Sequence, residues 1–214
     1  MKLYALSGLG ADERVFQYLS LNIDLIPIPW IVPKNRETIK AYAQRLFENV
    51  NLEEPYGILG VSFGGLVAVE ASKIHNPGIT ILISTVEVRS ELRLIYRLIG
   101  QTQIINVIPS HLFSPPKLLA YWLFSTKSKS LLGNILDDTD PKFAKWAIDA
   151  FISWQNQDRI SSPLLRIGSA TDRLIPARGD QTLVKGGGHF MIVDKAEEIS
   201  EIINRELEVL SPGE

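Results

Sequence analysis

The chain of 214 residues contains no cysteine. Disulfide frameworks, iron–sulfur clusters and thiolate zinc sites are excluded on that ground alone. A chain of this length can bury a core large enough to need no covalent staple. Histidine is scarce, with three in all, and none stands in a cluster with carboxylates that suggests a metal site. Charge of one sign is also lacking: the formal net charge is −2. That balance gives no electrostatic case for nucleic acid or an anionic membrane as partner. Long apolar runs are missing too. The longest uncharged apolar stretch, Pro55 to Val69, is too short and too rich in glycine to span a bilayer. The first ten residues, MKLYALSGLG, have neither the apolar run nor the small-x-small cleavage site of a signal peptide. A soluble, cytoplasmic protein is expected, with a longer exported precursor left open.

What is present is an alternation. Short apolar runs read as strands at Lys2–Ser7, Ile23–Ile28, Tyr56–Val61, Ile79–Ser84, Leu164–Gly168 and Thr182–Val184. Amphipathic stretches between them read as helices at Ala11–Leu21, Glu37–Val50, Phe63–Ile74 and Lys195–Val209. Near-continuous apolar strands alternating with helices predict an α/β fold: a mostly parallel sheet of about six strands, with helices on both faces. Such sheets bind ligands at the carboxyl ends of their strands.

The alternation stops between Glu87 and Asn156. This segment holds nine of the eighteen aromatic residues, so it differs in kind from the rest. Its clearest helix opens with Asp140 as cap and Pro141 in the first turn. Phe143, Trp146, Ala147, Ala150, Phe151 and Trp154 then follow at three-and-four spacing. The expected organisation is one continuous domain, with a core at 1–86 and 157–214 and a helical insertion at 87–156. The insertion leaves after one sheet strand and returns before the next, which predicts a lid over the strand ends. Its basic residues Arg89, Arg93, Arg97, Lys117, Lys127 and Lys129 read as solvated helix faces rather than as a receptor for an anionic substrate.

GVSFGG, Gly60 to Gly65, puts one hydroxyl among three glycines where a strand hands over to a helix. G-x-S-x-G in that setting is the pattern of a nucleophile elbow. Side chains two positions either side of Ser62 would meet neighbouring backbone, and Gly60 and Gly64 remove them. A tight turn with an incidental serine, or a phosphate site at the helix start, would produce the same letters. A serine nucleophile needs a base. His75 sits at an expected helix C-terminus, where it caps carbonyls. His111 falls within the aromatic insertion. His189, in GGGHF after the last strand, stands in a loop whose glycines suit delivery of an imidazole into a crowded site. Asp172, just past the strand LLRIG, is the preferred orienting carboxylate, with Glu87 in reserve and Asp180 less well placed. Ser, Asp, His is the chain order of α/β-hydrolases. The oxyanion of an acyl-transfer intermediate needs N–H donors. The backbone of Phe63 and of Leu9, in the loop SGLGAD, are the candidates.

On SGLGAD, GVSFGG, DRLIP and GGGHF the chain resembles a compact member of the α/β-hydrolase superfamily, and the resemblance covers its whole length. Three features depart from the common pattern. Ser7 stands where many relatives have histidine before the first-loop glycine. Gly168-Ser169-Ala170-Thr171-Asp172 replaces H-G-x-x-D. No antiparallel hairpin precedes the first strand. The resemblance implies hydrolysis of an ester or related acyl bond, with no cofactor. The expected activity is a carboxylesterase-like serine hydrolase for a small, mainly apolar ester or thioester, with Trp30, Trp122 and Trp146 shaping the pocket. Acyl transfer, amide or C–C hydrolysis on the same fold remains open, as does a non-catalytic small-molecule-binding protein. The expected partner is a small-molecule substrate, with no nucleic acid and no membrane, and nothing in the sequence speaks to the oligomeric state.

Overall fold

The computed structural model describes residues 1–210. Six strands, β1 (Lys2–Leu6), β2 (Leu25–Pro27), β3 (Tyr56–Val61), β4 (Ile79–Ile83), β5 (Leu164–Gly168) and β6 (Thr182–Leu183), form one sheet. Their order is β2-β1-β3-β4-β5-β6 and every pairing is parallel. The central strand β4, ITILI, is buried at every position, as a strand covered on both faces requires. Apolar residues therefore point both ways and supply two cores. On one face, α1 (Ile39–Phe47) and α2 (Phe63–His75) pack Tyr42, Phe47, Leu66 and Val67 against Ile58 and Leu82. On the other, the turn Glu13–Phe16, α7 (Met191–Asp194) and α8 (Ala196–Leu210) pack Val15, Phe16, Met191, Ile199 and Ile203 against Leu59 and Ile81.

The register sets Leu6 beside Gly60, Gly60 beside Leu82, and Ile83 beside both Val61 and Ile167. The loops that follow β1, β3, β4 and β5 thus leave the sheet at the same end. Between β4 and β5 run α3 (Leu94–Thr102), α4 (Lys117–Phe124), α5 (Lys129–Asp138) and α6 (Pro141–Ser153). Asp140 accepts from the Lys142 N–H at 2.9 Å and caps α6 as its spacing predicts. The two ends of this insertion are clamped together. Asn156 donates to the Glu87 carbonyl at 2.9 Å, and the Glu87 carboxylate pairs with Arg159 and accepts from the Ile160 N–H. Arg166 on β5 pairs with Glu91 at 2.6 Å.

Two local expectations change. The helix expected over Ala11–Leu21 shrinks to one 3-10 turn, Glu13–Phe16. After one further local bond, from the Leu19 N–H to the Phe16 carbonyl, the backbone turns to α8: the Ser20 N–H donates to Ser200 Oγ and the Asn22 N–H to Asn204 Oδ1, each at 2.9 Å. Tertiary acceptors replace the intrahelical ones, and the helix ends. His75 does not cap α2 through its side chain. Asn76, in the left-handed region, closes that helix with its own N–H on the Ser72 carbonyl. The His75 ring instead stacks on Phe47 at 5.5 Å, and its Nε2 is buried without a partner.

Burial lowers the His75 pKa from its ordinary value, so the unfolded chain takes up this proton first. The stability contribution of neutral His75 is therefore complete above about pH 6.5 and declines as pH falls below it. Urea midpoints measured from pH 7.5 to 5 should fall less steeply for His75→Phe than for the unsubstituted protein.

Candidate active site

The site begins as a backbone problem. Between β3 and α2 the chain must reverse within one residue, and Ser62 does so at φ 53° and ψ −119°. For a non-glycine residue this is a strained conformation. Its surroundings hold it there. The Ser62 N–H donates to the Ile83 carbonyl at 2.9 Å, and its own carbonyl accepts from Thr85 Oγ1 at 2.7 Å and the Gly65 N–H at 2.9 Å. Close approach is possible only because the neighbours lack side chains. A Cβ on Gly64 would lie 2.2 Å from the Ser7 carbonyl oxygen, and one on Gly60 would lie 2.6 Å from the Gly64 carbonyl oxygen. A Cβ on Gly65 would strike Thr85 at 2.3 Å.

The structure brings Ser62, His189 and Asp172 together. Ser62 Oγ lies 2.8 Å from His189 Nε2, and His189 Nδ1 lies 2.8 Å from Asp172 Oδ2. The other carboxylate oxygen, Asp172 Oδ1, accepts from the N–H groups of Leu174 and Ile175 at 2.8 and 2.9 Å. Both oxygens are thereby committed and the carboxylate cannot swing. Asp172 and His189 are 2% and 4% exposed, whereas Ser62 is only half-buried. The imidazole arrives on GGGH. Gly186 takes φ +67°, and a Cβ on Gly188 would fall 2.6 Å from the Phe124 carbonyl oxygen. Phe124 meets the ring edge-on at 5.2 Å. A hydroxyl, imidazole and carboxylate in this line can pass a proton from oxygen to nitrogen while the imidazolium is held by a fixed negative charge.

The remaining candidates separate. Glu87 is occupied by Arg159 and the Ile160 N–H. Asp180 and His111 lie exposed. Leu9 and Phe63 both line the cavity that contains Ser62, and among the described residues neither backbone N–H has an acceptor. Gly8 packs against Ser62, since a Cβ there would lie 3.5 Å from the serine Cβ.

The first loop is pinned by contacts the sequence did not announce. Ser7 Oγ donates to the Ala11 carbonyl at 2.7 Å, the Ala11 N–H returns to the Gly8 carbonyl at 3.0 Å, and Trp30 Nε1 adds a second bond to Ala11 at 3.1 Å. Thr139 Oγ1 lies 3.1 Å from the Gly10 carbonyl oxygen. Ser7 closes the loop locally where a larger histidine is common. Thr139 left no signal, and Trp30 was expected in the pocket wall and not in this role, because both contacts depend on folding and not on spacing.

The expected tryptophan walls are a correction. None of Trp30, Trp122 or Trp146 lines the cavity at Ser62. Each indole sits where its body or N–H finds a partner. Trp30 bonds Ala11 behind the loop. Trp146 donates to the Glu37 carbonyl at 2.9 Å and packs on Tyr42. Trp122 is 58% exposed, with the Arg173 guanidinium 4.6 Å above its ring. Aliphatic side chains and phenylalanines wall the cavity instead, which measures about 400 Å³. Among the described residues no group of three or more His, Asp or Glu is placed to hold a metal, and no helix is long and apolar enough to cross a membrane.

No protein-family model matches the sequence, and no curated protein matches it by sequence. Solved structures do match. MenH from S. aureus superposes with a TM-score of 0.73 at 18% identity, over 99% of this chain and 94% of that one. A thermophilic esterase from Thermogutta terrifontis gives 0.70 at 13%, over 98% and 90%. The RedJ thioesterase of the prodiginine pathway of Streptomyces coelicolor gives 0.64 at 14%, over 96% and 90%. The chain has the α/β-hydrolase fold.

The close approach at Gly64 makes a stability prediction. Gly64→Ala must push the elbow off the Ser7 carbonyl, and about 1–3 kcal/mol of stability should be lost. Gly78→Ala, where a Cβ would meet its nearest atom at an ordinary 3.4 Å, should stay within about 0.5 kcal/mol. Urea denaturation of both variants checks the contrast.

Proposed function

We propose that the protein is a serine hydrolase of the α/β-hydrolase superfamily that cleaves an apolar ester or thioester through an acyl-enzyme. The observation that carries this reading is the unbroken line from Ser62 Oγ to His189 to Asp172, 2.8 Å at each step. Its setting supports it, because Ser62 lines an apolar cavity large enough for a small ligand. The neighbouring structures that are named esterase and thioesterase agree with it.

In this reading Ser62 Oγ attacks the acyl carbonyl carbon and His189 Nε2 accepts the proton. The carbonyl oxygen becomes an oxyanion and takes hydrogen bonds from the N–H groups of Leu9 and Phe63. The intermediate collapses, the C–O or C–S bond breaks, and His189 returns the proton to the departing alcohol or thiol. Water then attacks the acyl-serine with His189 as base, releasing a carboxylic acid and Ser62. Asp172 keeps its negative charge throughout and holds Nδ1 protonated. The chemistry calls for no cofactor. Residues 87–156 act as the lid: Tyr96, Ile105, Phe113, Phe124, Ile135 and Phe151 of this segment all face the cavity.

Hydrolysis of p-nitrophenyl butyrate and labelling by a fluorophosphonate probe test the assignment together. Ser62→Ala should abolish labelling, and Asp172→Asn should lower kcat by about 10³–10⁴ while the protein stays folded. Equal rates for Ser62→Ala and the unsubstituted protein would remove Ser62 from the chemistry.

A further inference from the structure

The cavity says more than that the substrate is apolar. Its lining includes no Asp, Glu, Lys or Arg, and His189 is its one strongly polar side chain besides hydroxyls. Those hydroxyls are largely spoken for. Tyr96 donates to the Leu174 carbonyl at 3.1 Å, and Thr139 donates to the Ile135 carbonyl at 2.7 Å. Ser114 lines the cavity beside Pro115, and both residues are exposed, so its hydroxyl is met by water. Away from Ser62, His189 and the first-loop N–H groups, no side chain is left to pair a carboxylate, an ammonium or a sugar hydroxyl. An unpaired polar group taken into such a place is strongly disfavoured.

Volume then sets length. The cavity measures about 400 Å³. A methylene is close in size to a water molecule, whose share of the liquid is about 30 Å³, so roughly a dozen such units would fill it. A flexible chain does not reach every corner. We infer, on the basis of the hydrolase reading above, that the acyl half of the substrate is an uncharged hydrocarbon chain of about eight to twelve carbons. The small acyl groups of simple esterase assays would fill only the part of the cavity nearest Ser62.

The wall also supplies a length-determining position. Ala144 on α6 lines the cavity and is 1% exposed. It is the smallest side chain that the insertion presents there, so a larger residue at 144 occupies space a chain would otherwise take. It lies outside the group of residues that carries out the reaction.

A series of p-nitrophenyl esters from acetate to palmitate, assayed below their aggregation concentrations, tests the inference. The expected kcat/KM rises about fourfold per added methylene, peaks between octanoate and dodecanoate, and falls for palmitate. The ω-carboxylate analogue of decanoate should react at least a hundredfold more slowly than decanoate. Ala144→Phe should move the peak to shorter chains, and Ala144→Leu gives the same test with a smaller volume if the phenylalanine variant does not fold. A Ser62-dependent activity that is greatest on acetate or butyrate, or that accepts the ω-carboxylate as well as decanoate, overturns the inference and leaves the hydrolase reading standing. A series hydrolysed equally by Ser62→Ala overturns both.

Discussion

Everything at this site hangs on one strained residue. Ser62 turns the chain from β3 into α2 with φ positive, and a β-carbon in that conformation is tolerated only where the surroundings over-determine it. They do so from three directions: β4 through the Ile83 carbonyl, the following segment through Thr85, and β1 through the Leu6 and Ser7 carbonyls that face Gly64. The same contacts that fix the strain bring the ends of β1, β3 and β4 to within touching distance. The first loop can then lie against Ser62, and its N–H groups can share the cavity with the serine hydroxyl.

A second constraint is electrostatic and sits at the base of the insertion. Glu87 and Glu91 meet Arg159 and Arg166 where the segment leaves and rejoins the sheet. Arg166, Glu87 and Glu91 are largely buried while Arg159 is exposed, and such pairs are weak evidence for stability because desolvation or solvent screening offsets the attraction. Their geometry is the point here. They tie residues 87–91 to residues 156–160 and to β5, so that the helices between them form a closed loop over the strand ends. That loop supplies most of the cavity wall. The polar clamp stands at its foot and the apolar surface faces the serine, which separates the charge that organises the insertion from the space a substrate would occupy.

How much of this could be read in advance depended on the range of the interaction. Gly60, Gly64 and Gly65 around Ser62 are a local pattern in the letters, although only the crowding at Gly60 is local, while Gly64 and Gly65 make room for Ser7 and Thr85. The parallel sheet was legible because β3 and β4 carry runs of apolar side chains suited to burial on both faces. Asp140 and Pro141 mark a helix start by chemistry that needs no partner beyond the next turn. The helix expected at Ala11–Leu21 failed because Ser200 and Asn204, some 180 residues away, compete for its backbone. Trp30, Trp122 and Trp146 were legible as large and apolar, yet their directions were not. Each indole N–H or ring face answers to a carbonyl or guanidinium that only the folded chain brings near.

The sequence by itself determined the α/β alternation, the strand-to-helix turn at Ser62, and the candidacy of Asp172 and His189 at strand ends, because periodicity, glycine placement and chain order are written locally. The tertiary structure decided which carboxylate meets the imidazole, that Trp30 and Thr139 pin the first loop, and that aliphatic side chains rather than tryptophans line the cavity. Those outcomes rest on hydrogen bonds and packing between residues far apart in the chain. Such contacts are selected by the whole fold at once, and no stretch of sequence contains both partners.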